Sequence, residues 1–357
     1  MVVFIHSYNT KFMVNNTSFY IGYSSFMQNF ISQGITRVAA PFFFATSGYL
    51  FFLKFKGTIS EFVTKYRKRV KTLLLPYLLW SVWGLVLHSI LQLVLRTKDF
   101  SSNDIIESYS LVKILRTVFF SPIPYHLWFI RDLMMLVIIS PLIYWSTRYL
   151  KAIPVIILFI IWLDFFKFSL LIFTKESVLF FYMGAYFSIN RSKPIKKMNK
   201  KYYWAFTFIW FLIILIKTTL IHQGTEQSAL LVLLHKTCII IGLLSIWSIY
   251  DILMTEKTTP NKAIIKLSYF SFFLYAFHEP ILSFMKAGFF HTVGVSEIKS
   301  VLIYFLAPIV LIIISTFLAS FIKRYIPKFY ELIADGRLHS DFFHSSRNNF
   351  QYTVNLI

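Results

Sequence analysis

Acid is scarce in this chain. Its 357 residues hold 15 Asp and Glu against 36 Lys and Arg. Charged residues of both signs make up only 14%, while 57% are hydrophobic and 20% aromatic, at a mean hydropathy of +0.64. No water-soluble domain covers that much apolar surface, so composition excludes one. Cysteine is almost missing too: Cys238 stands alone in "KTCIIIGLLSIW". That excludes an intrachain disulfide and any cysteine-based metal site, and leaves Cys238 as a small buried apolar residue. No polar stretch is long enough to form a separate soluble domain. There is no P-loop, G-x-G-x-x-G, H-E-x-x-H or G-x-S-x-G, so the motif-bearing soluble enzymes are also set aside.

What is present is apolar sequence in runs of about 20 residues. The runs predict an all-α, polytopic integral membrane protein with about ten transmembrane helices: 1–8 (partial), 38–55, 73–95, 126–147, 153–172, 177–190, 203–221, 229–250, 267–290 and 300–322. Intervening loops alternate in charge. Bases crowd 54–71, 148–151, 191–201, 257–266 and 323–328, whereas 9–36, 96–125, 173–176, 222–228 and 291–299 are poorer in them. The positive-inside rule makes the basic set cytoplasmic and puts both chain ends there. This orientation accounts for the net charge of +21, so no nucleic-acid partner is implied. The first run starts at Met1 with "MVVFIHS", and eight helical residues rise only about 12 Å. The first helix is therefore expected to be truncated. Residues 1–334 read as one transmembrane domain and 335–357 as a polar, cytoplasmic C-terminal tail. In the outward loop 96–125, Ser102 or Asn103 precedes an apolar pattern and predicts an amphipathic helix on the membrane surface or over a cavity.

Ionisable residues inside spans are costly, so each is a functional candidate. His6 lies in the first run and Arg37 opens the second. His126, Arg131 and Asp132 lie at or in the fourth. Asp164 and Lys167, three apart, read as a neutralising pair in the fifth. His235 and Lys236 lie in the eighth. Arg131 and Asp132 are adjacent in sequence and are expected to find separate partners. His278 and Glu279 stand directly before Pro280, which frees a backbone carbonyl inside a span. His6 titrates near neutrality and suits general-base work. These residues alone fit a transporter or an enzyme.

Several stretches, taken together, resemble the acyltransferase type 3 family of membrane acyltransferases. "VVFIHS" resembles its first helix and "RVAAPFFFATSGYLFF" its second. "KRVKTLLLPYLLW" is similar to its basic patch and third-helix entry. "YHLWFIRDLMMLVIISPLI" resembles its His-Leu-Trp-Phe helix, and "SFFLYAFHEPIL" its late Leu-Tyr-x-x-His-x-Pro segment. The matches keep the family order from residue 2 to about 290. The likeness is greatest to stand-alone members that O-acetylate bacterial surface polysaccharides.

The resemblance implies transfer of an acyl group, usually acetyl, from acyl-CoA to a hydroxyl of a cell-surface or lipid-linked glycan. It places such a protein in the bacterial cytoplasmic (inner) membrane, among membrane lipids, with no metal. It makes His6 the histidine required for transfer and Arg37 the arginine opening helix two. Arg67, Lys68, Arg69 and Lys71 would meet coenzyme A. Arg37 would hold a hydroxyl-rich or anionic ligand, or a carboxylate such as Glu279. Pro41 would let its helix bend, and Ser47 and Gly48 would allow close packing and a narrow slot for the acyl-CoA arm. An oxyanion would be met by Arg37 or His278, with Glu279 orienting an imidazole. The family's usual arginine three turns before the histidine falls upstream of Met1, and lysines replace some arginines of the patch. A glycan or lipid transporter, or a non-catalytic partner of a glycan assembly complex, is the alternative reading.

Overall fold

The computed structural model describes residues 1–10, 22–95, 106–164, 173–191, 200–225, 228–255 and 268–334. All regular structure among them is helical. Helix α1 is Val2–His6, and α2 is Tyr23–Gln28. A π turn (Asn29–Gly34) and a 3-10 turn (Ile35–Val38) lead from α2 into α3, Ala39–Phe52. Helix α4, Ile59–Arg69, passes through a π turn (Val70–Leu74) into α5, Leu75–Leu95. Then come α6 (Leu111–Phe119), α7 (Trp128–Ile138), α8 (Ser140–Leu150), α9 (Ile153–Trp162) and α10 (Lys175–Ile189). The last are α11 (Lys200–His222), α12 (Ala229–Thr255), α13 (Ser271–Val293), α14 (Glu297–Tyr325) and α15 (Pro327–Ile333).

Among the described residues five helical stretches are long and apolar enough to cross a membrane: Tyr23–Phe52, Ile59–Leu93, Lys201–His222, Ala229–Tyr250 and Glu297–Tyr325. The pair Tyr125–Ile138 and Ser140–Leu150, bent by 63°, makes a sixth if it is one span. The chain is a multi-pass membrane protein. Each of the ten expected runs contains helix, but only five or six pass the test of length and apolarity. The others miss it for visible reasons. Helix α9 has 10 residues, about 15 Å of rise. Helix α13 is interrupted at Glu279 (φ −111°, ψ 137°), because the following proline excludes the helical region for the residue before it. The second run begins earlier than expected, since α2 and its two irregular turns lie in what sequence marks as loop. Pro41 occupies the first turn of α3, where its missing N–H costs little. The irregular backbone lies in 29–38, before it.

Two compact units emerge: Met1–Phe55 with Leu142–Tyr269 and Ile281–Ile313, and Lys56–Pro141 with Phe270–Pro280 and Ile314–Ile357. In the first, α3 and α10 touch backbone to backbone. A Cβ on Gly48 would lie 2.1 Å from the Phe181 carbonyl oxygen, and one on Gly184 would lie 1.9 Å from that of Ala45. Small residues therefore replace the side-chain layer that would hold the helices apart. Phe51, Phe52, Tyr144 and Phe181 pack at one end of this contact. Val38, Trp210, Ile214 and Cys238 form a second buried cluster. Glycines are few, and charged residues in the left-handed region take their place past four helix ends: Lys54, Lys151, Asp164 and Arg191.

In the second unit, α4 starts with a capping box. Thr58 Oγ1 accepts from the Glu61 N–H at 3.3 Å while Glu61 accepts from the Thr58 N–H at 3.2 Å. Such a cap contributes about 1 kcal/mol. Trp80 donates to the Ile333 carbonyl at 3.0 Å and packs on Phe273 and Phe277. An amphipathic helix in the 96–125 stretch is present as α6. Its cap is Ser110, accepting from the Lys113 N–H at 3.3 Å; Ser102 and Asn103 lie outside the described residues. Leu111, Val112 and Leu115 are exposed, as a surface-lying helix requires.

Gly48→Ala is expected to lower thermal stability in detergent by about 2 kcal/mol or more, because no rotamer change relieves a backbone clash. Gly288→Ala, where a Cβ meets nothing within 4 Å, is the control and should be neutral or slightly stabilising. Equal melting of both variants and wild type would contradict the α3–α10 contact.

Candidate functional site

Five residues do not sustain a helix on their own, so α1 is held from outside, through polar groups of the first unit. The Lys286 ammonium donates to the carbonyl of His6 and, at 3.3 Å, to that of Tyr8. Ser32 Oγ donates to the Phe4 carbonyl at 2.6 Å and also meets Tyr304 Oη at 2.8 Å. The Asn9 N–H donates to Gln28 Oε1 at 2.9 Å, and Gln28 Nε2 returns a bond to Asn9 Oδ1 at 2.8 Å. Asn9 Nδ2 reaches the Ser300 carbonyl at 3.0 Å, and Ser300 Oγ donates to Asn9 Oδ1 at 2.7 Å. Ser24 Oγ joins through Ser300 Oγ at 2.9 Å. The side chains of Asn9, Ser24, Gln28, Ser32, Lys286, Ser300 and Tyr304 are all buried. Each donor is thus matched where water is scarce. His6, half-buried, closes α1 on this mount.

Arg37 stands in the 3-10 turn. Gln33 Oε1 accepts from its Nε at 2.8 Å and also from its Nη2. The Gln33 carbonyl, in the π turn, accepts from Lys217 Nζ at 2.8 Å. Lys217 Nζ also lies 3.1 Å from His235 Nδ1. Neighbouring Ser32 and Gln33 therefore link α1, Arg37 and α11. Ser47 lies half-buried on α3 next to the Gly48 contact. Lys167 lies outside the described residues. Among the described residues Asp164 pairs with Lys175 and, at 3.3 Å, with Lys236. Lys236 Nζ also sits 4.5 Å from the centre of the Trp162 ring.

The second unit holds the remaining candidates. His278 Nδ1 lies 2.6 Å from the Tyr275 carbonyl. The His278 ring is 4.4 Å from that of His126, centre to centre, and Tyr275 Oη donates to the His126 carbonyl. Both imidazoles are buried, as is Glu279 at the break in α13. Arg131 and Asp132, expected to part, bind each other: Nη2 to Oδ1 is 2.9 Å. The guanidinium folds back along the helix, and its Nη1 donates to the Phe120 carbonyl at 2.7 Å. Arg67, Lys68 and Arg69 form the last turn of α4 and Lys71 follows in the π turn. Arg67, Lys68 and Lys71 are exposed, open to a soluble anion. Among the described residues no group of three His, Cys, Asp or Glu could hold a metal.

The sequence-predicted residues thus separate. His6, Arg37 and Ser47 belong to the first unit; His278, Glu279 and the basic turn belong to the second. Sequence reasoning missed Lys217 and Lys286. Both carry the signal used for the others, an ionisable residue within an apolar run. It also missed Asn9, Gln28 and Ser300, which look like ordinary loop and helix-end residues until the chain closes on them.

The family model described as an acyltransferase domain matches residues 1–324, and the chain belongs to that family, acyltransferase type 3. It is 23% identical over 344 residues to the succinoglycan biosynthesis protein ExoH of Rhizobium meliloti (strain 1021), covering 94% of this chain and 89% of that protein. No solved structure matches.

Lys286→Met, which frees the carbonyls of His6 and Tyr8, is expected to slow acyl transfer by about 10- to 100-fold with little change in acceptor KM. Lys286→Arg should restore part of the rate. A Met variant that folds and turns over like wild type would remove Lys286 as a positioning residue.

Proposed function

We propose that this acyltransferase moves an acyl group, with acetyl the first candidate, from acyl-CoA to a hydroxyl of a cell-surface or lipid-linked glycan. The observation that carries the reading is the mount of His6: a short helix ending in an imidazole, its carbonyl fixed by a buried ammonium. The name of the succinoglycan relative supports a polysaccharide acceptor. In this reading residues 1–334 are the transferase domain, in the bacterial cytoplasmic membrane with both chain ends cytoplasmic. His6 and Arg37 then face outward, and the α4 basic turn faces the cytoplasm, where acyl-CoA is made.

The phosphates of coenzyme A dock on Arg67, Lys68, Arg69 and Lys71. The pantetheine arm runs between helices, with Ser47 along its slot. His6 takes the proton of the acceptor hydroxyl. The freed oxygen attacks the thioester carbonyl carbon and an oxyanion forms. Arg37 stabilises that charge with a guanidinium already oriented by Gln33. The C–S bond then breaks, and the coenzyme A thiolate leaves and is protonated. His278 and Glu279 are the remaining acid–base candidates. The products are an O-acyl glycan and free coenzyme A.

The test is transfer of labelled acetyl from acetyl-CoA to surface glycan in cells with wild type or His6→Ala at matched protein levels. A loss of about 100-fold or more is expected for removal of a general base. Undiminished labelling in the variant would take His6 out of the reaction.

A further inference from the structure

The first unit carries a row of bases of which the proposed transfer chemistry uses only Arg37. Asp164, in the left-handed turn after α9, pairs with Lys175 and Lys236. Glu176 follows Lys175 in the first turn of α10. His235 precedes Lys236 on α12, and Lys217 bonds to His235 and to the carbonyl of Gln33, whose side chain holds Arg37. Among the described residues the row thus holds four basic side chains (Arg37, Lys175, Lys217, Lys236) and two carboxylates. Side-chain exposure falls along the row from 42% at Asp164 to 18% at Lys175 and 11% at Lys236, and Lys217 is only 6% exposed. Among the described residues no carboxylate lies within ion-pair distance of Lys217. Its bonds go to a carbonyl and an imidazole, which leave its charge uncompensated.

A buried ammonium without a counter-ion is strongly disfavoured in a low-dielectric interior. These residues lie at or near helix ends that the charge pattern directs outward, where the loops are poorer in bases. The row is open at Asp164 and buried at Lys217. It ends on Gln33, one residue from Ser32, which holds α1 and therefore His6. We propose that this row is a subsite for an anionic group on the acyl acceptor, a sugar carboxylate or a phosphate, which supplies the missing negative charge beside Lys217. Asp164 and Glu176 keep part of the row neutral until the acceptor arrives. Calling the ligand an acceptor rests on the acyltransferase reading; the anion site itself does not.

The test is binding to the full chain in lipid nanodiscs, without acyl donor. Probes are trigalacturonate, its neutral counterpart galactotriose, and inorganic pyrophosphate. Wild type is expected to bind an anionic probe at least about tenfold more tightly than galactotriose, a difference a single buried ion pair supplies. Lys217→Met should abolish that preference and Lys217→Arg should keep it. If Lys217→Met melts early, Lys175→Gln, on the more exposed part of the row, carries the same comparison. Trigalacturonate preference assigns the site to a sugar acid; pyrophosphate preference assigns it to a phosphate of the acceptor or its lipid carrier. No preference for either anion, or full preference in a folded Lys217→Met, overturns the proposal. A failed subsite leaves His6-dependent transfer intact, whereas a failed transferase reading leaves anion binding intact.

Discussion

An ammonium group holding two carbonyl oxygens is the contact on which the site depends. Helix α1 has too few residues to be stable by its own hydrogen bonds, and its polar ends have little water to turn to. Lys286 meets the carbonyls of His6 and Tyr8, and Ser32 and Gln28 hold the residues on either side. The irregular turns before α3 serve the same purpose. A π turn and a 3-10 turn shift the register between α2 and α3, so that Ser32 faces α1, Gln33 faces Arg37 and α11, and Val38 enters the core. A regular helix through 29–38 would present these residues at different angles.

Much of the architecture was legible because lipid permits so few solutions. Long apolar runs with basic loops gave helices at each expected position. The arginine, proline and Ser-Gly of 37–48 all found physical uses: Arg37 in a 3-10 turn, Pro41 where a helix start tolerates it, Gly48 at a backbone contact. What stayed hidden depended on closure of the chain. The turn after α9 also brings the Asp164 carboxylate to Lys175 and Lys236, contacts that no helical spacing announces. The Arg131–Asp132 pair forms because a long guanidinium reaches back to its neighbour. Residues 9 and 300 are 291 positions apart, and no local pattern announces that they share a hydrogen bond.

The two basic groups of the molecule differ in kind. Those on α4 are largely exposed, near other bases, as expected of a docking face for a soluble, highly phosphorylated donor. Lys217, Lys236 and Lys286 are buried, and each answers specific groups: Lys217 a carbonyl and an imidazole, Lys236 a carboxylate, Lys286 two carbonyls. Exposed charge costs little and gives weak, general attraction, whereas buried charge costs several kcal/mol unless matched and so marks geometry. This contrast fits a reaction that collects its donor on one side of the membrane and its acceptor on the other.

That vectorial arrangement can be measured directly. Proteoliposomes of known protein orientation would hold labelled acetyl-CoA on the side of the α4 basic turn, with the glycan acceptor supplied only on the opposite side. The account predicts label on the glycan in this arrangement, and none when donor and acceptor are exchanged. Transfer only when both substrates share one side would contradict it.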